Sequence, residues 1–225
     1  MLCNSALAAL LGGASHRTLF AGGTRAEPAP EIIIRIYNYA DAPLEVVMTA
    51  QREAARILGR AGIASRWQDC SSDQHPECQE APGPVRLNIR ILPVARIKLA
   101  GLPPGACAYS LVPARGFGVV VSIFWRRVEE LAKGLQVFQG LYLGHLFAHE
   151  IGHLLLADGG HSSAGIMSRE WDPHDLSYAA QHKLLFNQRQ ADQMGARLAE
   201  RIHAEQAAIE PKASNFCGSG LPITH

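Results

Sequence analysis

The chain has 225 residues, of which 48% are hydrophobic and 18% charged, and its formal net charge is +1. That apolar content over that length supports one globular domain with a packed core and excludes a disordered chain. The near-zero charge provides no basic field for gripping phosphate backbones, so no nucleic acid is expected as a partner, and a peptide or protein substrate fits better.

In chain order, residues 1–30 differ from the rest: "SALAALLGGAS" is a short apolar run, and "AGGTRAEPAP" after it is rich in small residues and proline. The stretch resembles a secretory signal followed by a linker, which predicts a secreted or periplasmic protein. The run is too short to span a bilayer and lacks basic residues before it, so an ordinary terminus of a cytoplasmic protein is the alternative. Cys3 would leave with such a signal. Cys70 and Cys78 flank the polar loop "CSSDQHPEC", of the kind a local disulfide closes in an oxidising compartment, whereas in a cytosolic protein all the cysteines would be free thiols. No C-x-x-C pair occurs, so a cysteine zinc ribbon is excluded.

Residues 31–40, "EIIIRIYNYA", read as a strand. A helix follows, with Val46, Val47, Ala50, Ala54, Ile57 and Leu58 at helical spacing between Pro43 and Gly62. "ASRWQDC" is a short strand, and "VRLNIRILP" alternates Val85, Leu87, Ile89 and Ile91 as a half-buried strand does. Residues 94–116, rich in Pro, Gly and Ala, read as a long excursion. "GFGVVVSIFW" (116–125) is the next strand, "RRVEELAKG" a short helix stopped by Gly134, and the apolar run from Leu141 to about Ala157 a longer helix. One or two amphipathic helices precede a Gly/Ser tail. The order predicts an α+β fold: a mixed twisted sheet with helices feeding a central helix, then a helical C-terminal lobe. Residues 31–210 form one domain and 211–225 a tail.

The central apolar stretch contains His145, His149, Glu150 and His153. Ionisable groups there argue against stable membrane insertion. Residues four apart on a helix share a face, so the rings of His149 and His153 can converge on one ion. A catalytic zinc takes three protein ligands and keeps a fourth position for water. Glu150, beside the first ligand, is placed to serve that water as general base. The pattern His-Glu-x-x-His, followed by His161, therefore reads as a hydrolase site holding one Zn2+ per chain. The competing reading is a helix whose polar residues only face a polar crevice.

These residues resemble the signature of the metzincin zinc metallopeptidases, HExxHxxGxxH followed by a methionine-containing turn. Here the matching residues are His149, Glu150, His153, His161 and a "GIM" turn ending at Met167. The resemblance implies a metzincin-like zincin fold with an active-site helix and a Met-turn. It also implies a zinc-dependent metalloendopeptidase that hydrolyses peptide bonds with a metal-activated water and Glu150 as general base. Alternatives are a non-catalytic zinc-binding protein and a metal-dependent hydrolase of a non-peptide amide.

Three departures stand out. Leu156 replaces the motif's glycine, His161 follows His153 by eight residues rather than six, and no tyrosine closely follows Met167. Leu154, Leu155 and Leu156 continue the helical pattern towards Gly159 and Gly160, so the helix is expected to run nearly a turn longer before the chain returns with His161. Asp158 is the competing third ligand. His145, one turn before His149, is expected behind the ligands or lining the cleft, and Cys107 in "GACAYS" could reach the metal in a latent form, with a disulfide or free thiol as its ordinary reading. By the same resemblance, the strand before the helix forms the cleft edge to which a peptide adds. Gly118, Val119, Val120 and Val121 are the candidates, although the same valines suit a middle strand.

Overall fold

The computed structural model describes residues 31–72, 78, 85–94, 106–113, 117–134, 138–157 and 160–209. The signal-like segment, the tail, Asp158, Gly159 and Cys217 lie outside them. Within them the fold is α+β, with a five-stranded mixed sheet. Strands β1 (Glu31–Asn38), β2 (Ala64–Asp69), β3 (Arg86–Leu92), β4 (Ala108–Leu111) and β5 (Val120–Phe124) lie in the order β2-β1-β3-β5-β4. All neighbours are parallel except β4 and β5.

The alternation read from the sequence becomes rows of side chains across the sheet. Register places Ile34 beside Leu87, then Ile36, Ile89 and Val121 in one row, then Ile91 beside Ile123. All five positions on β1 and β3 in these rows and their two partners on β5 are essentially inaccessible to water. At about 1.5–3 kcal/mol for each fully buried Val, Leu or Ile, these rows make this face the main stabilising surface.

Helix α1 (Leu44–Arg60) covers that face with Val47, Ala50, Ala54, Ile57 and Leu58. Helix α2 (Trp125–Gly134) follows β5 directly, and α3 (Gln139–Leu156) then runs through the core, nearly every residue from Leu143 to Leu156 being buried. A helix that is apolar all round is an interior helix, and α3 fills that role. It packs tightly on α1 at Gly144, where a Cβ would lie 2.7 Å from Glu53 Cβ and 2.9 Å from the Ala50 carbonyl. The C-terminal helices are α4 (Pro173–Ala180), begun by an Asp172 capping box with Asp175, and α5 (Gln188–Ile209). Arg201 of α5 is buried and donates to the carbonyls of Gly118 and Arg86, tying α5 to the ends of β5 and β3. Cys70 and Cys78 are joined in a disulfide. No helix among the described residues is long and apolar enough to cross a membrane.

Two expectations are corrected. The residues Gly118–Val121 do not form a free edge: β5 is hydrogen-bonded on both sides, Val121 is wholly buried, and the edge beside α3 is β4. The Pro/Gly-rich excursion returns as four residues, "AYSL", that cover β5, and so short a strand leaves no periodic signal. Nor does the central helix run on to the glycines. It ends at Leu156, the motif's glycine position itself, and Ala157 turns the chain in the left-handed conformation (φ 52°) while its N–H caps the His153 carbonyl.

A non-glycine residue in that conformation costs about 1 kcal/mol or more, because its Cβ crowds the carbonyl. Ala157→Gly is therefore expected to stabilise the chain, by about 0.5–1 kcal/mol once the greater freedom of unfolded glycine is set against the relieved strain. Urea denaturation checks this: the midpoint should rise at constant slope, and a fall would contradict the strain argument.

Candidate metal centre

Helix α3 carries His149 and His153 one turn apart, and the chain beyond Ala157 brings back His161. These three imidazoles form one group whose ligand atoms all lie within 4.8 Å of one another. The first two are buried and His161 is exposed, so the group opens to solvent on its third side. Its rings are mutually close: His149 and His161 stack at 5.4 Å between centroids, while His153 meets both edge-on at 4.7 and 4.8 Å.

The tautomer of His149 follows from its partner. Its Nδ1 lies 2.7 Å from the Ile166 carbonyl. A carbonyl only accepts, so Nδ1 carries the hydrogen and Nε2 keeps its lone pair for an ion. That Nε2 is 3.1 Å from His153 Nε2. At Zn–N distances of about 2.0–2.1 Å, two ligands of a tetrahedral ion sit about 3.3 Å apart, so the separation matches a shared cation closely. Burial pushes the His149 imidazole down to about 4, as do the charges of His153 and His161, against the opposing pull of the Ile166 carbonyl. A neutral ring is the ligating form. The donor set therefore fits a zinc ion.

The support beneath the ligands comes from the turn ending at Met167. Ser162 N–H donates to the Met167 carbonyl at 2.9 Å, closing the loop that carries His161 against this turn. Met167 is buried, and its sulfur occupies the space a side chain on Gly152 would need: a Cβ there would lie 2.6 Å from Met167 Sδ. Gly152, between the two ligands on α3, thus lets the thioether lie directly against the helix.

Glu150 is buried beside the group. Ser110 of β4 donates to its Oε2 at 2.6 Å, and the same hydroxyl lies 2.7 Å from the Glu150 carbonyl oxygen. Burial pushes this carboxyl up to about 7, with the Ser110 hydrogen bond opposing. That is the range in which a carboxyl both takes and returns a proton near neutral pH.

His145 does not join the triad. It is wholly buried, its Nδ1 donates to Leu141 O at 2.9 Å, and its Nε2 faces Glu53 Oε1 at 3.5 Å without hydrogen-bonding. Burial holds its ring below the usual histidine range, against the Leu141 carbonyl and the Glu53 charge. Cys107 is a half-buried free thiol outside the group, raised by burial and hydrogen-bonded to Tyr142.

Sequence reasoning missed four contributors. Ser110, the Ile166 carbonyl and Glu53 leave no pattern because they are brought in by packing. Trp171 does too: its Nε1 donates to the Ile166 carbonyl at 3.2 Å, and its ring meets Tyr142, His145 and His149 edge-on. A second acidic group, Asp172, His174 and Asp175, is the N-terminus of α4, where the Asp172 carboxylate is already spent on the N–H groups of His174 and Asp175. No protein-family model matches the chain, and no curated protein matches it.

Proposed function

We propose that the chain is a zinc-dependent metalloendopeptidase of the metzincin type, with His149, His153 and His161 holding one zinc and Glu150 as general base. The observation that carries this reading is the convergence of three imidazoles, one of them committed through Ile166 to presenting a lone pair, beside a buried carboxyl group. A structural zinc site is closed by four protein ligands, whereas the group among the described residues comprises three. A zinc ion held there supplies a Lewis acid that polarises a carbonyl and makes hydroxide available at neutral pH.

The chain's own residues do the remainder. Glu150 takes a proton from the attacking water and returns it to the departing amide nitrogen, splitting one difficult transfer into two feasible ones. Its burial excludes competing water from the carboxyl. The edge strand β4 offers backbone N–H and C=O groups to an extended peptide, which would pair with it as a further strand and lie across the mouth of the site. Met167 packs against the helix at Gly152, between two of the ligands, and Trp171 packs edge-on against the His149 ring.

Incubation of the purified chain with a diverse peptide mixture, with and without chelator, tests the activity. Cleavage should vanish on zinc removal and return on its addition. Glu150→Gln should retain about one zinc per chain while losing hydrolysis by 100-fold or more, because an amide takes up no proton from water. Normal turnover by that variant would overturn the assignment of the base.

The third ligand has its own test. His161→Ala should weaken zinc binding by orders of magnitude and abolish cleavage, whereas Asp158→Ala should leave zinc content and activity largely intact. Competition with a metallochromic chelator reads both affinities. The reverse pattern would transfer the ligand role to the aspartate.

A further inference from the structure

Glu150 is the one carboxylate on the buried helix α3, and among the described residues one side chain hydrogen-bonds to its carboxyl group: Ser110, on the edge strand β4. A single hydroxyl holds two points of the same glutamate, its Oε2 at 2.6 Å and its carbonyl oxygen at 2.7 Å. The hydroxyl has one proton and cannot donate to both at once. The carbonyl oxygen sits within a continuing helix, where the backbone ladder supplies it with a donor, so the contact with the carboxyl is the one with no substitute. A buried carboxyl without a partner is costly, and its side chain is free to turn among rotamers.

We propose that Ser110 is the positioning residue of the Glu150 carboxyl group, holding Oε2 so that Oε1 is the oxygen presented to the reacting water and amide nitrogen. The proposal rests on the peptidase reading above and deepens it. Ser110 pairs with Val121 of β5 in the strand next to the substrate's own place. The strand that binds the peptide backbone is thus also the strand that orients the base, and a displacement of β4 moves both together. A purely mechanical tie between β4 and α3 is the competing role. It makes a different prediction, because a tie acts on stability and this contact acts on chemistry.

The test compares wild type, Ser110→Ala and Ser110→Thr in the full, zinc-loaded chain, using a peptide that the wild type cleaves. Ser110→Ala should lower kcat about 10- to 100-fold, the range expected for one hydrogen bond to a charged group, with KM and zinc stoichiometry unchanged. Ser110→Thr, which keeps the hydroxyl, should restore most of the rate. Crystal structures of the zinc-loaded forms give a readout independent of activity: Oε2 should remain on the Ser110 hydroxyl in wild type, and the carboxyl should turn to another rotamer in Ser110→Ala. Unchanged kcat, an alanine variant whose only defect is a lower Tm, or a carboxyl that keeps its conformer without the hydroxyl would each overturn the proposal. If the wild type cleaves no peptide, the peptidase reading falls, and the two carboxyl conformers alone decide the role of Ser110.

Discussion

The burial of α3 is the constraint on which the rest depends. A helix packed on all sides brings its polar residues into the interior with it, and each must find a partner there or destabilise the fold. His145, His149, Glu150 and His153 are all less than a tenth exposed. Their partners come from several sides of the helix: Leu141 from the preceding turn of α3 itself, Ile166 from the methionine turn, Ser110 from β4 and Glu53 from α1. The site is the set of solutions to that one problem.

The solutions share atoms. The Ile166 carbonyl accepts from both the His149 ring and the Trp171 indole, so the segment after Met167 and the first ligand are held to one point. The aromatic edges of Tyr142, His145 and His149 surround the same indole. Between the two histidines of the helix, Gly152 admits Met167, and in this position the sulfur fills the space between helix and turn that a larger residue would force open. Pre-arranged ligands lose little freedom on taking up an ion, which is the physical benefit of so many contacts behind three rings.

Glu53 plays a comparable part further from the three histidines. Its buried carboxylate takes two hydrogen bonds from Arg56 and one contact from His182 at 2.9 Å, and faces His145. Burial alone would raise this acid; the Arg56 hydrogen bonds, with the charges of His145, Arg56 and His182, bring it below the usual glutamate range instead. His182 reaches it from a left-handed backbone position just beyond α4. One carboxylate therefore joins α1, α3 and the C-terminal helices, beside the crossing that Gly144 makes possible. This explains why His145, placed by spacing on the ligand stripe, turns to α1: four-residue steps rotate about 40° each, and the nearest charge lies on that side.

Periodicity determined much of this protein by itself. The rows Ile34–Leu87 and Ile36–Ile89–Val121, the apolar face of α1 and the spacing of His149 and His153 are local patterns of period two or four, and local patterns survive in a linear chain. The disulfide between Cys70 and Cys78 was legible for the same reason, its partners being close in sequence. What only the tertiary structure decided concerns residues far apart in the chain or too few to show a period. The four residues of β4 displaced Gly118–Val121 from the sheet edge. Ala157 made the turn that glycines were expected to make, because the packing of α3 stops the helix there whatever the residue's own preference. Ser110 meets Glu150 across forty positions of sequence, and Glu53 meets His182 across 129. Such contacts carry no signature in composition or spacing, since what selects them is the need of a buried charge for a partner, and that need exists only once the core has closed.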